Sequence, residues 1–329
     1  MTHMIGIDIG GTKCAALMAR VGGGIEIFKR LEFPTETGKG FEHAKGRLFE
    51  CVRELMGEFK MGAGEIAAIG VSCGGPLDPR RGLVMSPPHL PGWDDIPLPA
   101  MLEEEFGIEA HIQNDANACA LVEWRMGAGR GFDNIVFLTM GTGIGGGIIT
   151  HGVLIEGASG MGGEVGHLRI ENDGPVGFGK AGSLEGYCSG ENIGKLAGAM
   201  TREWVAGGRE PAWTRDGHAP ESLSAKLIAQ YANAGDEDAR AIYRFVGEKL
   251  GKAISILIDT LNPERVVIGS IFARSGHLLR ESMDRVIDEE TIPHSRAVCK
   301  VVPAETGERI GDYASIMAAC YRMGIDPLQ

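Results

Sequence analysis

Four short segments of the chain hold residues whose types and spacing could do chemistry. In Asp8-Ile9-Gly10-Gly11-Thr12-Lys13, two glycines lie between a carboxylate and a Thr-Lys pair. Two glycines in a tight turn expose backbone N–H groups that can wrap phosphate oxygens. Thr12 and Lys13 add a hydroxyl and a cation, and Asp8 can hold a magnesium ion through water. This is not a Walker A loop, because Lys13 follows Thr12 and the next segment, Cys14 to Met18, is strand-like rather than helical. The second segment is Thr139-Met140-Gly141-Thr142-Gly143-Ile144-Gly145-Gly146-Gly147. Gly141 to Gly146 spells G-x-G-x-x-G, but a dinucleotide fold needs a helix after it, and Ile148 to Ile155 reads as a strand. A glycine hairpin that straddles a polyphosphate suits this segment better. Glycines so dense are hard to justify as packing.

The third segment is Asn114-Asp115. A carboxylate at a helix start is held ionised by the dipole and the free N–H groups. In a cleft it can take a proton from a hydroxyl, which is typically worth ~10²–10⁴ in rate. The plain alternative is a helix cap. The fourth is Glu164-Val165-Gly166-His167, followed by Glu185. Glu and His three apart suggest metal ligands on a helix, but Gly160, Gly162, Gly163 and Gly166 argue for a loop. Loop Glu, His and Glu can hydrogen-bond a polyol, since each accepts from or donates to hydroxyls; solvated loop charge is the alternative.

The elements that must position these residues follow from hydrophobic periodicity. Residues 4–9 and 14–18 read as strands flanking the first glycine turn. A helix over 42–60 carries Leu48, Val52, Leu55 and Phe59 on one face. A buried strand over 66–72 leads into Cys73-Gly74-Gly75-Pro76. Pro79, Pro87, Pro88, Pro91, Pro97 and Pro99 then mark an irregular excursion. A strand over 110–113 ends at Asn114-Asp115, and 116–126 is helical with Asp115 at or near its N-cap. The pattern then returns: a strand over 135–139, a glycine loop over 141–147 and a strand over 148–155. Helices follow over 222–231 and 237–261, the latter stopping at Asn262-Pro263. A strand over 266–268 ends at Gly269-Ser270. A helix over 278–287, a strand over 298–302 and a closing helix over 310–323 complete the chain. A strand–glycine turn–strand hairpin thus opens each half, and alternating strands and helices predict a two-domain α/β protein with a cleft between.

Composition narrows the class. At 329 residues the chain is too long for one typical domain. Lys and Arg total 32 against 44 Asp and Glu, a net charge of −12, and no basic run appears, which argues against nucleic acid. Hydrophobic residues at 43 % and charged residues at 23 % exclude long disorder. The 51 glycines lack a Gly-X-Y period and so point to turns and close backbone approaches rather than collagen. Seven cysteines without a C-x-x-C exclude a Cys-based zinc ribbon and argue against a disulfide framework. Neither a signal peptide nor an apolar run that spans a membrane is seen, so a cytoplasmic enzyme is expected.

Together these motifs resemble the ROK family of sugar kinases, which includes bacterial glucokinases and N-acetylhexosamine kinases. Residues 8–13 look like its first phosphate motif and Gly141 to Gly147 like its second. Asn114-Asp115-Ala116-Asn117 looks like its sugar and catalytic motif, Glu164-Val165-Gly166-His167 like its Glu-x-Gly-His, and Gly182-Ser183-Leu184-Glu185 like its Gly-Cys-Leu-Glu. The resemblance implies an actin/hexokinase-type ATPase fold, two ribonuclease-H-like domains around a central cleft. Residues 1–115 with 312–329 would form the smaller domain and 116–311 the larger. It implies ATP and Mg²⁺ as cofactors and a small-molecule sugar as substrate. Asp115 would be the catalytic base. Gly75, Asn114, Glu164, His167 and Glu185 would bind sugar. Asp8, Gly10, Gly11, Thr12, Lys13, Thr139, Gly141, Thr142, Gly143, Gly269 and Ser270 would bind the nucleotide, with Asp8 holding magnesium through water.

Two departures stand out. The family's zinc motif Cys-x-Cys-Gly-x-x-Gly-Cys-x-Glu aligns with Val176 to Glu185, where Val176, Phe178 and Ser183 replace the cysteines. No zinc site is therefore expected. Members often carry Asn before the Leu of Leu90-Pro91-Gly92-Trp93, where this chain has His89. The expected activity is ATP-dependent phosphorylation of a hexose by a homodimer. The alternatives are an N-acetylhexosamine kinase, a fructokinase and a non-catalytic sugar sensor. A family repressor would need a DNA-binding segment ahead of Asp8, and a nicotinamide oxidoreductase rests on G-x-G-x-x-G alone.

Overall fold

The computed structural model describes all 329 residues. β1 (Thr2–Ile9), β2 (Lys13–Val21) and β3 (Ile25–Pro34) form an antiparallel meander. Ile5, Ile7 and Ile9 alternate onto the face covered by α1 (Phe41–Phe59), through Leu48, Val52 and Leu55. β4 (Ile66–Cys73) then pairs parallel with β1. The short β5 (Leu77–Asp78) and β6 (Leu83–Val84) make a hairpin within the proline-rich excursion, and α2 (Leu98–Phe106) closes it. β7 (Ala110–Asn114) joins β4 in parallel, giving a sheet of order β3-β2-β1-β4-β7.

α3 (Asp115–Met126) carries the chain across to a second sheet of β8 (Ile135–Met140), β9 (Ile144–Thr150) and β10 (Val153–Leu154). The hairpin of β11 (Val176–Gly177) and β12 (Lys180–Ala181) follows, then five helices: α4 (Leu184–Cys188), α5 (Gly190–Ala206), α6 (Ala212–Arg215), α7 (Ala225–Asn233) and α8 (Glu237–Leu261). β13 (Arg265–Ile268), α9 (Ile271–Glu290), α10 (Pro293–Val298) and β14 (Lys300–Pro303) lead into α11 (Ile310–Met323). The second sheet runs β10-β9-β8-β13-β14, with the first three strands antiparallel and the rest parallel. It repeats the first sheet strand for strand, a likeness that residue identities alone barely carry.

Each sheet is followed by a helix that packs on the other. α3 leaves β7 and packs on β8 and β9; α11 leaves β14 and packs on β1, β4 and β7. The two helices also pack on each other, in a core that takes Met4, Ala68, Leu121, Phe137, Ile149, Ile316 and Met317 from both halves. Gly6 and Gly70 sit side by side on β1 and β4, and a Cβ at either would strike Ser315 of α11. Asp8 shares that face of β1 two residues on, and its carboxylate emerges at the start of α11 beside Gly311.

Among the elements that the sequence leaves unmarked, β3, α2 and α5 have clear physical reasons. β3 has mixed burial as a sheet-edge strand. α2 starts inside the proline-rich run, with Pro99 in its first turn, where no backbone N–H is needed. α5 contains Gly190, Gly194 and Gly198, poor helix formers; a Cβ at Gly194 would lie 2.6 Å from the Leu223 carbonyl. Close packing decides there over propensity. α9 begins at Ile271, a full turn and more before the expected 278. The long α8 matches its pattern: Ile242, Val246, Leu250, Ile254 and Ile258 are buried, Asp236 caps its start and Asn262 ends it at φ 46°. No helix is long and apolar enough to cross a membrane.

Candidate active site

The site starts where β7 becomes α3. Asn114 is the N-cap, its Oδ1 accepting the Asn117 N–H at 3.1 Å. Asp115, expected at or near the cap, is the first residue inside the helix, and its Oδ1 accepts the Ala116 N–H at 2.8 Å. The Asp115 carboxylate opens onto the cleft yet lies deep between the two halves. That enclosure raises its pKa above the usual carboxylate value, against the N–H groups of Ala116 and Asp115 itself and the charge of His89. The helix start therefore moderates the desolvation rather than holding the group strongly ionised. A carboxylate so raised is a better proton acceptor than a free one.

In front of Asp115 lies a cavity of about 660 Å³. Gly75, Asn114, Glu164, His167 and Glu185, the expected sugar-binding set, all line it, as do His89, Met161 and Phe178. Gly75 makes room: a Cβ there would sit 3.2 Å from Asn114 Nδ2 and 3.9 Å from Glu164 Oε1. Glu185, in the first turn of α4, accepts the Ile144 N–H at 3.0 Å. Burial raises the Glu164 pKa, with His167 opposing and Asp115 and Glu185 adding to it. Glu164 and His167 flank a single turn of 3₁₀ helix over 165–167, in the loop that the glycines foretell.

The second glycine segment divides into two parts. The turn proper is Gly141 to Gly143, closed by the Gly141 N–H to the Gly143 carbonyl at 3.0 Å, and the strand resumes at Ile144 rather than 148. Gly145, Gly146 and Gly147 are strand residues pressed against α3 and the Glu164 loop. Added Cβ atoms would lie 2.8 Å from Ala116, 2.5 Å from Val165 and 2.5 Å from Ala120 respectively. Packing therefore explains three of the glycines whose density suggests ligand binding. Gly141 and Thr142 border both the first cavity and a second, of about 880 Å³. Ser270 lines this second cavity at φ 57°, while Gly269 lies beneath it, covered by the Phe137 ring. Thr139 lines only the first.

The first glycine turn is placed differently. Gly10 donates its N–H to the Lys13 carbonyl at 3.0 Å, and Gly11 packs under His89, where a Cβ would lie 2.7 Å from the His89 Cβ. Gly10, Gly11, Thr12 and Lys13 line neither cavity. The Lys13 ammonium pairs with Glu32 at 2.8 Å. Asp8 also lines neither cavity, although its carboxylate feels the charge of Asp115. Its pKa rises to about 6, first through burial, then through Asp115 and Asp312, against Arg30 and Lys13. Arg30 donates to Asp312 at 2.8 Å and so holds the third carboxylate of this group.

The second cavity holds residues that the motifs miss. Lys226, Gln230 and Asn233 present one face of α7, and Tyr243, Arg274, Ser275 and Glu308 complete the wall. Their signal was the i, i+4, i+7 spacing of polar residues on a helix whose other face is apolar. At the family's zinc position the residues do not fit a metal. His167 stands perpendicular to the Phe178 ring at 4.9 Å, and Ser183 Oγ caps α4 by accepting the Gly186 N–H at 3.1 Å. Cys188 is buried against the Val246 carbonyl. One His and one buried Cys make only half of a four-ligand site.

Two sheets of one topology, exchanged crossing helices and a carboxylate at the helix start facing the first cavity define the actin/hexokinase-type fold with two ribonuclease-H-like domains. The carboxyl ends of β1, β4, β7 and β8 all meet at that cleft. Residues 4–318 match the ROK family, and the chain belongs to it. It is similar to the glucokinase of Thermotoga maritima, at 33 % identity over 94 % of each chain. It also resembles the crystal structure of a ROK family glucokinase from Streptomyces griseus in complex with glucose and AMPPNP. The TM-score is 0.75 and the identity 28 %, covering 96 % of this chain and 99 % of that one. A xylose repressor of Caldicellulosiruptor bescii is 28 % identical, covering 88 % of this chain and 70 % of the repressor.

Proposed function

We propose that the chain is an ATP-dependent sugar kinase that phosphorylates a hexose hydroxyl, with D-glucose as the first candidate. The observation that carries this reading is the place of Asp115. Its carboxylate faces a polar cavity whose glycine wall, Gly141 and Thr142, is shared with the second cavity. A proton acceptor in the first chamber, with a glycine wall shared with the second, suits transfer of a phosphoryl group from the second chamber to an acceptor in the first. The Thermotoga glucokinase and the glucose and AMPPNP complex of the Streptomyces enzyme support the choice of substrates.

In this reading Asn114, Glu164, His167 and Glu185 hold sugar hydroxyls, and Gly75 leaves them room. The nucleotide occupies the second cavity, its purine beside Gly269-Ser270 and its phosphates reaching the Thr139–Gly143 turn. The Gly10–Lys13 turn meets the phosphates once the cleft closes, and Lys13 then exchanges Glu32 for phosphate. Closure moves residues 1–115 with 312–329 against 116–311 and excludes water. Asp115 takes the proton of the acceptor hydroxyl as its oxygen bonds the γ-phosphorus and the bond to the leaving ADP oxygen breaks. Asp8 would hold magnesium through water, and the cation would offset the charges of Asp115 and Asp312 that Asp8 feels. When bound, magnesium supplies charge neutralisation on the phosphates.

The test is coupled turnover of ATP with glucose, N-acetylglucosamine, N-acetylmannosamine and fructose, since His89 at the cavity leaves the preferred member of this set to experiment. Phosphorylation of one sugar, cut ~10²-fold or more by Asp115→Asn with sugar binding retained, is the expected result. Similarity to the xylose repressor favours a second reading, a sugar sensor. Sugar binding without turnover of any of the four would establish that one instead.

A further inference from the structure

β11 and β12 pair Val176 with Ala181 and Gly177 with Lys180, so the hairpin turns on two residues, Phe178 and Gly179. Both have positive φ, 46° and 74°. Two-residue hairpins that need positive φ at both central positions favour Asn-Gly or Gly-Gly, and a bulky aromatic at the first is an outlier. The hairpin is nonetheless fixed from several sides. Lys180 Nζ donates to the His167 carbonyl at 2.7 Å. Gly177 lies flat on α4, where a Cβ would come 2.5 Å from the Gly186 nitrogen and 2.9 Å from the Glu185 Cβ. The strained residue therefore stands between the two segments that carry His167 and Glu185. Its ring lines the first cavity, 60 % exposed, with His167 perpendicular to it at 4.9 Å. A large apolar side chain kept in an unfavourable backbone conformation and left open to a polar cavity is not there for the core.

We infer that Phe178 is a specificity-determining residue that packs its ring on the carbon face of the acceptor sugar. The inference rests on the sugar-binding part of the function proposed above. A pyranose has hydroxyls at its rim, which Asn114, Glu164 and Glu185 can take, and a face of C–H groups that hydrogen bonding cannot satisfy. An exposed aromatic ring is the natural partner for that face. Gluco-configured pyranoses, whose axial C–H groups make an unbroken apolar face, gain most; a sugar held as a furanose gains least.

Phe178→Asn and Phe178→Gly provide the test, because both residues suit the turn and remove only the ring. D-glucose, N-acetylglucosamine and fructose are titrated calorimetrically into the nucleotide-free protein, and a non-hydrolysable ATP analogue is titrated separately. The expected result is a thermal midpoint equal to or above that of the wild type, glucose affinity lowered roughly three- to tenfold, and analogue affinity unchanged. Unchanged glucose affinity in both variants overturns the assignment. A loss confined to N-acetylglucosamine also overturns it, since the ring would then serve the acetyl group. A wild type that binds glucose but does not phosphorylate it leaves this contact standing and removes the kinase reading. A wild type that binds no sugar removes both.

Discussion

Glu123, fully buried near the end of α3, accepts the backbone N–H of Thr306 at 2.9 Å. It also accepts from the Thr306 hydroxyl, from the Glu305 N–H at 3.2 Å and from the Ala128 N–H at 2.9 Å. One carboxylate thus ties the end of one crossing helix to the segment that leads into the other. Glu123→Leu keeps the volume but orphans these donors, at about 1–3 kcal/mol each. The expected outcome is a fall of about 3 kcal/mol or more in unfolding free energy, read as a lower urea midpoint. A midpoint equal to that of the wild type would contradict the tie.

Asp8 connects stability to pH. Its folded pKa of about 6 lies above the 3.8 of an unperturbed Asp. Between those values the folded state holds the proton more tightly than the unfolded state, so ionisation of Asp8 costs stability as pH rises from about 4 to 6. Asp8→Asn removes that cost. The ligand-free variant should melt higher than the wild type at pH 7.5, by the equivalent of ~1–3 kcal/mol, and show no advantage at pH 3.5. Turnover should collapse in the same variant. A variant less stable than the wild type at pH 7.5 would refute the electrostatic account.

The two glycines of the second turn should behave differently. A Cβ at Gly141 meets only Thr139 Oγ1 at 3.7 Å and Ser270 Oγ at 3.9 Å, the latter a residue of the second cavity. A Cβ at Gly143 lies 2.7 Å from Glu185 Oε2 and would displace it. Gly141→Val should raise KM for ATP far more than KM for sugar, whereas Gly143→Val should raise both. Steady-state kinetics with each substrate varied would check this, and equal selectivity in the two variants would count against the partition.

For zinc, the expected outcome follows from the contacts of residues 167–185. Aromatic packing of Phe178 on His167 and the Ser183 cap occupy positions where the zinc motif implied by the family resemblance would have cysteines. Protein purified without added metal should carry no stoichiometric zinc by elemental analysis. Strong chelators should leave activity unchanged once magnesium is in excess. A bound zinc whose removal abolishes activity would overturn this.

The site was more legible in the sequence than the scaffold around it. Asn114, Asp115, Glu164, His167 and Glu185 carry polar chemistry in short motifs, and the structure brings all five to one cavity. Gly145 to Gly147 misled because their reason lies in Ala116 and Ala120, on a helix distant in pattern though near in space. α5 went unmarked for the same cause, Gly194 and Gly198 answering to the backbone of residues 220–224 and Gly190 to Ile271 and the Gly141 carbonyl. The second cavity escaped because its polar residues come from α7, α8 and α9 rather than from one segment. β3 gave a weak signal because an edge strand buries only scattered side chains.

The exchange of α3 and α11 between the sheets has a consequence for how the chain can be divided. Each sheet followed by its own helix is one copy of a repeated unit, and each copy is finished by the other's helix. That is the arrangement of a domain-swapped dimer, written in a single polypeptide. Neither copy is a self-sufficient piece: severed from its twin, residues 1–126 would expose the Gly6–Gly70 floor that Ser315 covers and would carry α3 with nothing beneath it. The piece that completes such a fragment is residues 127–329, whose α11 brings Ser315 back over that floor.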